Sequence, residues 1–524
     1  MRRLTYLEGF RSVVRRYPDR TAAITADGRS YTYRELDERS DALAAAMEAR
    51  LPGERCAVLS LNDVAVVEAM LASMKRGRAN VQLSTRGAAG ELAATMDTAD
   101  AAGLMYHAAL GETAAAIVDR RDPDVVVEIG GDGEGVDGAE AYDDVVAGAD
   151  PEDAPAEPAT DPPESAVFFT SGTTSAPKAI LVDGRQAWLA ANQPALEMSL
   201  TASDRALVCS PWYHMVTSEA WILPHLLVGA TLVIQPTFDP EQSLELVDEH
   251  DVTGMLAVPT QLETFLRVQD EVGADVSALS YIRTGGAVVP DSLIEQVRER
   301  FTEGVFNTYG LTEGVGNLAF AYPEDQLDHP GTIGKGSYLW NLRVVEPADP
   351  PEKPDPEALV EPGESGEIIG RSLQMTPEYI DNPAETEALF VDDPGGDPAD
   401  RWLRTGDVAT VDEDGYLVVI DRVDNMIVSG GENVYPEEVQ HALKDHPGVV
   451  DAGVVGLPDE EWGHVVAAAV AAADDVTEED LDEHCLSHDT LARFKRPRRY
   501  VFVDELPRTA TGTLVRGEVV DMFS

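Results

Sequence analysis

The residues best suited to chemistry lie in a polar stretch, 170–178, that directly follows the apolar run Phe168-Phe169. Five of its residues could hold phosphate oxygens through hydroxyl and backbone N–H groups: Thr170, Ser171, Gly172, Thr173 and Thr174. Lys178 then adds a compact positive charge. The GxxxxGK[ST] pattern of a Walker A loop is absent. The stretch therefore predicts a phosphate-binding loop of another type, and the competing interpretation is a polar surface turn.

A second stretch, 307–313, also follows an apolar run. Tyr309 could stack on a nucleobase, and Gly310 could let a ligand approach the backbone. Glu313 could bind Mg²⁺, which prefers oxygen ligands and phosphates. This pattern predicts a nucleotide and metal site, whereas an ordinary strand end is the alternative.

Two later stretches carry a carboxylate and a pair of glycines. Asp407, in the segment 402–407, could accept hydrogen bonds from both hydroxyl groups of a ribose. Gly430 and Gly431 lie between polar residues in 421–439 and permit an unusual backbone path. A turn aspartate and a hairpin are the alternatives, so these stretches gain meaning only from their order along the chain.

Short apolar runs alternate with helical patterns from about residue 30 to residue 310. Thr32 and Glu35 have capping-box spacing before a helix, and Gly77 is expected to end a helix over 63–76. This alternation predicts parallel sheets covered by helices on both faces, the α/β class. The predicted strands are Cys56–Leu59, Ala166–Phe169, Arg205–Cys209, Thr231–Ile234, Gly254–Ala257, Tyr281–Thr284 and Gly304–Tyr309.

Two segments interrupt this pattern and are predicted to be loops, because acidic residues and prolines are frequent in 148–165 and 346–365. Beyond about residue 410 the pattern changes to short strands and helices of an α+β kind. We therefore expect two domains, residues 1–423 and residues 424–524.

The composition is strongly acidic, with 95 Asp and Glu against 39 Lys and Arg and a formal charge of −56. Such a charge repels nucleic acid and anionic lipid, so neither is an expected partner. Only six basic residues are lysines. An acidic, lysine-poor surface is typical of proteins that work in very high salt, which screens self-repulsion. We therefore predict a halophilic source.

The chain has three cysteines, Cys56, Cys209 and Cys485, without paired spacing. This argues against a disulfide framework and a zinc site, and Cys209 is expected in the core. No apolar h-region follows Met1, and no run approaches the length of a membrane span. A cytoplasmic protein is predicted.

Taken together, the four chemical stretches resemble the adenylate-forming superfamily over essentially the whole chain. This superfamily comprises acyl-CoA synthetases, adenylation domains of non-ribosomal peptide synthesis and firefly-type luciferases. The stretch 422–439 is most similar to 4-chlorobenzoate- and fatty-acyl-CoA ligases. The resemblance implies a large α/β N-terminal domain with parallel-rich sheets and a small, mobile α+β C-terminal lid domain.

The resemblance also assigns roles to individual residues. Catalytic roles fall to Lys178, His214 and Arg422, Glu313 would bind magnesium, and Asp424 would be the hinge. The acyl pocket would include His214, Gly310, Gly314 and Val315. CoA would contact Gly430, Gly431, Trp462 and Phe494. Nucleotide contacts are implied for Thr170, Ser171, Gly172, Thr173, Thr174, Gly285, Gly286, Ala287, Tyr309, Thr312, Asp407 and Arg422.

The implied chemistry has two steps and uses ATP, Mg²⁺ and coenzyme A. A carboxylate first attacks the α-phosphorus of ATP, giving acyl-AMP and pyrophosphate. A thiol then attacks the mixed anhydride after the small domain has turned about its hinge. Positioning and charge neutralisation are the main demands of the first step.

Some positions depart from the family pattern. Ser175, Ala179 and Glu378 stand where glycine is usual, and Thr513 stands where a lysine assists adenylation.

The resemblance makes an acyl-CoA ligase the leading hypothesis. A carrier-protein-loading enzyme and an adenylation-impaired, ligand-binding paralogue are alternatives. Aryl, medium-chain and succinylbenzoate-like acids all remain open as substrates.

Overall fold

The computed structural model describes residues 4–156, 158, 162–170, 178–348, 352–393, 400–429, 432–459, 462–473, 476–488, 491–508 and 514–523. Contacts divide the chain into two compact units. The larger comprises Met1–Leu342 and Gly370–Leu403, and the smaller comprises Arg343–Ile369 and Arg404–Ser524. This division by contacts differs from the expected domain boundary between residues 423 and 424. That boundary marks the hinge about which the small domain is expected to turn, and it stays a prediction.

A nine-stranded sheet lies in the larger unit. Parallel pairing joins the strands from Val305–Leu311 through to Thr21–Thr25 in the order given below. The strands at both edges pair antiparallel. In spatial order the strands are Lys335–Gly336, Gly316–Ala321, Val305–Leu311, Tyr281–Gly285, Gly254–Leu256, Arg205–Val208, Thr231–Ile234, Thr21–Thr25 and Ser30–Thr32.

A seven-stranded sheet also belongs to the larger unit. Its strands pair in parallel except at one edge, where Glu164–Thr170 and Lys178–Asp183 form an antiparallel pair. In spatial order they are Glu140–Ala141, Val125–Ile129, Ala101–His107, Arg55–Leu59, Asn80–Gln82, Glu164–Thr170 and Lys178–Asp183. The predicted parallel-rich α/β fold is confirmed, because parallel strands require the helical crossovers that alternate with them.

Helices connect the strands of both sheets in the larger unit. The capping box of Thr32 and Glu35 forms as predicted, and Gly77, with φ of 71°, ends the helix Val64–Arg76. The helices are Tyr6–Arg16, Tyr33–Arg50, Val64–Arg76, Ala89–Thr98, Gly111–Arg121, Tyr142–Ala147, Gly184–Glu197, Met215–Thr217, Leu223–Val228, Pro240–Glu249, Pro259–Val272, Asp291–Arg300, Asp325–Asp328 and Pro383–Leu389, with a π-helical turn at Ser218–Ile222.

The helix Val64–Arg76 shows how the core of this unit tolerates charge. All its residues are buried, including Glu68 and Lys75. Arg39 pairs with Glu68 at 2.6 Å, and Asp37 pairs with Lys75 at 2.7 Å. Buried charges are costly unless they are paired, so these pairs account for their presence here.

The smaller unit contains a mixed sheet of short and long strands. Its strands are Glu432–Val434, Ile427–Ser429, Gly463–Ala472, Val449–Asp459 and Arg499–Phe502, and only the last pairs in parallel with its neighbour. The helices Pro436–Lys444, Glu478–Ser487 and Arg516–Asp521 belong to the same unit. This agrees with the expected α+β character of the C-terminal part.

Five further strands are Asn341–Val345, Ser365–Arg371, Phe390–Val391, Trp402–Val411 and Leu417–Arg422. The limits of the two units fall inside three of them. Within the larger unit Phe390 pairs with Leu403, and within the smaller unit Asp407 pairs with Arg422, both antiparallel.

The three cysteines are free and buried, as expected for Cys209. Among the helices of the described residues, none is both long enough and apolar enough to cross a membrane.

Candidate active site

Thr170 and Lys178 lie directly opposite each other at the end of an antiparallel strand pair. Both side chains are half-buried. The rest of the predicted phosphate loop, including Ser171, Gly172, Thr173 and Thr174, lies outside the described residues. The structure therefore fixes the two ends of this loop at the edge of the seven-stranded sheet.

Lys178 is part of a compact polar cluster in the larger unit. Its ammonium lies 2.6 Å from Glu385 Oε2 and 5.3 Å from the centre of the Tyr379 ring. The Tyr379 hydroxyl donates a hydrogen bond of 2.6 Å to Glu313 Oε1. A predicted phosphate-binding lysine and a predicted magnesium ligand are thus joined through one tyrosine. We refer to Lys178, Glu313, Tyr379 and Glu385 as the polar cluster.

Backbone hydrogen bonds hold the segment that carries Tyr379. The Thr376 N–H donates to the Glu313 carbonyl and the Ile380 N–H donates to the Ala179 carbonyl, each at 2.8 Å. The segment is therefore bonded both to the turn that contains Glu313 and to the strand that contains Ala179. The Tyr379 residue is only 5% exposed. Glu385 is not predicted from the sequence, because nothing local marks a glutamate in the helix Pro383–Leu389 as a partner of Lys178.

The predicted adenine-binding residues lie at the carboxyl ends of two neighbouring parallel strands. Gly285 pairs with Thr308, and Gly286 and Ala287 follow it at the surface. At Gly285, with φ of 147°, a Cβ would lie 2.2 Å from the Thr308 carbonyl oxygen. Ligands of open α/β sheets bind at this kind of edge. Tyr309 is half-buried one residue beyond Thr308.

Gly310 and Gly314 are explained by close packing inside the protein. At Gly310 a Cβ would lie 2.2 Å from the Gly316 carbonyl oxygen, and at Gly314 it would lie 2.4 Å from Leu318 Cδ1. Close packing alone therefore accounts for glycine at both positions, without the ligand approach expected at Gly310 or the acyl-pocket role implied for Gly314. Thr312 begins the short helical turn Thr312–Gly314.

Val315 adopts an unusual backbone conformation. It is fully buried, and its φ of 55° is rare for a β-branched residue. Its carbonyl accepts a hydrogen bond of 2.7 Å from Gln374 Nε2. Strain of this kind persists only where the surroundings enforce it, and it often marks a functional site.

His214 precedes the short helix Met215–Thr217 and reaches the surface. Its ring lies 4.6 Å from that of Tyr213. Partial desolvation, followed by the positive charge of Arg86, lowers the pKa of His214. The imidazole is therefore biased towards its neutral form.

Arg283 was not identified from the sequence, although it precedes the predicted Gly285-Gly286-Ala287 loop. Its side chain is fully buried, and the guanidinium donates to Thr308 Oγ1 at 3.1 Å. It also donates to the Ala220 carbonyl and to Asn317 Oδ1. Burial lowers the pKa of Arg283 to about 9. The strand Tyr281–Gly285 is buried on both faces, so no alternation in the sequence distinguishes this arginine.

In the smaller unit, Asp407 and Arg422 form an ion pair of 3.0 Å across two antiparallel strands. Asp407 is 9% exposed, and Arg422 is half-exposed. Gly406, with φ of 68°, leaves space for the guanidinium, since a Cβ there would lie 2.9 Å from Arg422 Nη2. The structure thus brings together the two residues expected at the ribose and phosphate.

The backbone near the expected hinge is anchored by Asp421. This buried carboxylate accepts hydrogen bonds from Asn425 Nδ2 at 2.8 Å and from the Glu437 N–H at 2.9 Å. Asp424 lies in the short helical turn Val423–Asn425.

The predicted CoA contacts are only partly described. Trp462 and Phe494 are 47% and 42% exposed. Lys495 Nζ lies 5.9 Å from the centre of the Phe494 ring. Gly430, Gly431 and Thr513 lie outside the described residues.

Comparison with known families gives two matches that together span most of the chain. Residues 10–380 match the AMP-binding enzyme family, and residues 438–513 match the AMP-binding enzyme C-terminal domain.

Individual relatives match between two thirds and nearly all of the chain. A feruloyl-CoA synthase of Amycolatopsis is 32% identical over 509 residues, 96% of each chain. A 2-succinylbenzoate–CoA ligase of Bacillus licheniformis is 33% identical over 350 residues, 67% of this chain and 68% of the relative. The solved structure of o-succinylbenzoate CoA synthetase from Bacillus subtilis with its acyl-adenylate intermediate has a TM-score of 0.81 and 27% identity, covering 99% and 98% of the two chains.

Proposed function

Because the chain belongs to the AMP-binding enzyme family, we propose how its residues carry out the two reactions of an AMP-forming acyl-CoA synthetase. The enzyme activates a carboxylic acid with ATP and transfers the acyl group to CoA. In the first reaction a carboxylate oxygen bonds to the α-phosphorus, and pyrophosphate leaves. In the second, the CoA sulfur bonds to the acyl carbon, and AMP leaves.

The polar cluster is the observation that carries this proposal. Lys178 stands at the end of the predicted phosphate loop, where a triphosphate would compete with Glu385 for its ammonium. Transfer at phosphorus depends on positioning and charge neutralisation, which a fixed lysine and a row of hydroxyl groups supply. Thr170 and the loop residues 171–174 complete the proposed phosphate site.

Glu313 is the proposed magnesium ligand. Mg²⁺ in nucleotide sites is usually held by one or two carboxylates together with phosphate oxygens. A half-buried carboxylate positioned by Tyr379 fits that requirement. The described residues contain no group of three or more His, Cys, Asp or Glu side chains that could hold a metal alone, so the phosphates would complete the coordination. The ion would neutralise charge on the phosphate groups.

Roles for the smaller unit follow from the paired Asp407 and Arg422. We assign Asp407 to the ribose hydroxyl groups and Arg422 to ribose and phosphate. Trp462 and Phe494 present aromatic surface to solvent and, with Gly430 and Gly431, are assigned to CoA. The division into residues 1–423 and 424–524, with Asp424 as hinge, completes this assignment.

The acid is proposed to carry a ring. The relatives described above are named for feruloyl and succinylbenzoyl groups. Gly285, Gly286, Ala287, Tyr309 and Thr312 are assigned to the adenosine. His214, Gly310, Gly314 and Val315 are assigned to the acyl side.

The enzyme is further proposed to work in a cytoplasm of high salt. Its three cysteines are free and buried, which suits a reducing compartment. The formal charge of −56 favours an environment that screens acidic side chains.

A pyrophosphate-release assay in molar KCl, with Mg²⁺, ATP and a panel of aryl and aliphatic acids, tests the proposal. We expect acid-dependent release, followed by thioester formation when CoA is added. Tyr379→Phe keeps the ring beside Lys178 and removes the hydroxyl group that donates to Glu313. Because that bond has a charged acceptor, kcat/KM for ATP should fall by about tenfold or more.

Tyr338→Phe is the matched control, since Tyr338 is 54% exposed and belongs to the same unit. Equal kinetics for Tyr379→Phe and the unmodified enzyme would contradict the role of the polar cluster. Acid-independent pyrophosphate release, or none with any acid, would contradict the proposed function.

A further inference from the structure

Arg283 is a buried charge whose hydrogen-bond partners are all neutral. Its three guanidinium nitrogens donate to a hydroxyl, a backbone carbonyl and a side-chain amide, from Thr308, Ala220 and Asn317. The centre of the Phe320 ring lies 6.0 Å from the guanidinium carbon. A guanidinium has five N–H groups, so these three contacts leave donors unused.

Within the described residues, Arg283 forms no ion pair, and its pKa is lowered by burial alone. Two other buried charges of this unit are paired within the chain. Glu68 pairs with Arg39, and Lys75 pairs with Asp37.

The buried Glu219 carboxyl has no hydrogen-bond partner in the described structure, and burial raises its pKa to about 8. It is therefore protonated at neutral pH and supplies no negative charge to Arg283. Because an unpaired buried charge is costly, Arg283 calls for a counter-charge from outside the chain.

A second unsatisfied donor lies beside the guanidinium. Asn317 accepts from Arg283 through Oδ1, whereas its Nδ2 has no hydrogen-bond partner in the described structure. Both atoms belong to one amide group, so Nδ2 must lie close to Arg283. Asn317 is 3% exposed, and its backbone carbonyl is held by Gln193 Nε2 at 2.9 Å. Two adjacent donors of this kind match the two oxygens of a carboxylate.

These donors lie next to the region assigned to the acyl group. Asn317 follows Gly316, where a Cβ would lie 3.2 Å from Gln374 Nε2, 3.9 Å from the Ala190 Cβ and 4.0 Å from the Ala220 Cβ. Two alanines and the amide group of a glutamine therefore lie around the backbone at this point. Val315, on the other side of Gly316, is assigned to the acyl side.

We infer that Arg283 and Asn317 bind a second carboxylate at the far end of the acid, so that the preferred substrates are dicarboxylic acids. The inference rests on the proposed function. A plain alkyl or aryl end would leave the guanidinium unpaired, and an ammonium group would be repelled. A neutral carbonyl would satisfy donors but would not balance the charge.

Two matched pairs of acids test the inference, because the members of each pair differ only by a distal carboxylate. They are o-succinylbenzoate against β-benzoylpropionate, and suberate against octanoate. Pyrophosphate release in molar KCl gives kcat/KM for each acid, and calorimetric titration in the presence of AMP gives binding independently of turnover. We expect the dicarboxylate to be preferred by at least about tenfold in one pair or both.

Arg283→Met should abolish this preference, and Arg283→Lys should retain part of it, since lysine keeps the charge without the planar fork. Arg298→Met is the control. Arg298 lies on the helix Asp291–Arg300 of the same unit and already has an ion-pair partner in Glu303. Thermal melts establish that each variant is folded. If Arg283→Met does not fold, the Lys variant and the unmodified enzyme still decide the result.

Absence of a dicarboxylate preference in both pairs would overturn the inference and leave the proposed function intact. A dicarboxylate preference that persists in Arg283→Met would also overturn it. Failure of every acid to release pyrophosphate, combined with no binding of any acid, would overturn the proposed function and the inference together.

Discussion

Thr513 is the residue with the sharpest kinetic consequence. The family resemblance places a lysine here that assists adenylation, and threonine cannot supply its charge. Fixed charge at a transition state commonly contributes a factor of about 10²–10³ in rate. We therefore expect Thr513→Lys to raise the rate of pyrophosphate release by at least about tenfold, with little change in conversion of supplied acyl-AMP to thioester.

Thr513→Met separates charge from side-chain length in the same assay. Two results together would contradict this prediction: pyrophosphate release by the unmodified enzyme at an ordinary turnover of about 10 s⁻¹, and no gain from the lysine.

Glu219 raises a different question, because it is a fully buried carboxyl in the π-helical turn Ser218–Ile222. Neither carboxyl oxygen has a hydrogen-bond partner in the described structure. Desolvation raises the pKa of Glu219 to about 8 from an ordinary value of 4.5. The folded protein therefore holds a proton at neutral pH that the unfolded chain releases.

This difference makes stability fall with rising pH. A raised carboxyl pKa contributes stability that is fully present below pH 4.5 and is lost as the pH rises towards 8. The slope is about 1.4 kcal/mol per pH unit inside that window. Glu219→Gln should remove this slope, so urea unfolding at pH 5.5, 7 and 8.5 should show a smaller loss than in the unmodified protein.

Glu249→Gln is the control for loss of one carboxylate, since Glu249 is exposed. Identical pH profiles for Glu219→Gln and the unmodified protein would show that the Glu219 carboxyl is ionised in the fold.

At the scale of elements, the strand pair Val305–Leu311 and Gly316–Ala321 is sensitive to any side chain added at Gly310. Gly310 pairs with Asn317, with a shift of register after Tyr309. A methyl group at Gly310 would meet the Gly316 carbonyl oxygen, which is backbone and cannot move away cheaply. Gly310→Ala should therefore lower the free energy of unfolding by about 1–3 kcal/mol.

Gly111→Ala is the matched control. Gly111 has a helical φ of −57°, and nothing lies within 4 Å of a Cβ placed there. It should leave stability unchanged or raise it slightly. Equal melting temperatures for the two variants would show that the strands separate easily at Gly310.

The elements also show what the sequence could and could not predict. Strands such as Thr231–Ile234 and the cap of Thr32 depend on local pattern, and both were predicted correctly. The strand Thr21–Thr25, which lies next to the edge strand Ser30–Thr32, is not predicted from the sequence, because its pairing with Thr231–Ile234 depends on residues far away in the chain. Lys178 and Glu385 are likewise 207 positions apart, so only folding brings them together.

The same limit applies to individual site residues. The partnership of Asp407 with Arg422 spans a short antiparallel pair, and motif order was enough to select both. Arg283 lacks such a motif, and its importance appears only when its burial and its neutral partners are known together.

At the scale of the whole molecule, charge decides the conditions for folding. The formal charge of −56 spreads over 524 residues, so acidic groups repel one another in dilute salt. At molar salt the screening length falls to roughly 3 Å, which suppresses this repulsion. We expect the melting temperature and the ligase activity to rise steeply between 50 mM and molar KCl.

The same measurements in sucrose, at the same molar concentrations as KCl, are the control. Sucrose stabilises compact states without screening charge, so it should not reproduce the effect of KCl. A cooperative melt and full activity at 50 mM KCl would contradict the prediction.

The burial of the three cysteines makes them built-in reporters of opening. Burial raises the pKa of the Cys56 thiol to about 12 and that of Cys485 to about 11, so reactive thiolate is scarce in the folded chain. Cys56 and Cys209 belong to the larger unit and Cys485 to the smaller one. The rate at which a thiol-reactive dye labels each cysteine should therefore report the opening of its own unit. Cys485→Ser should remove the labelling signal of the smaller unit and leave that of the larger unit.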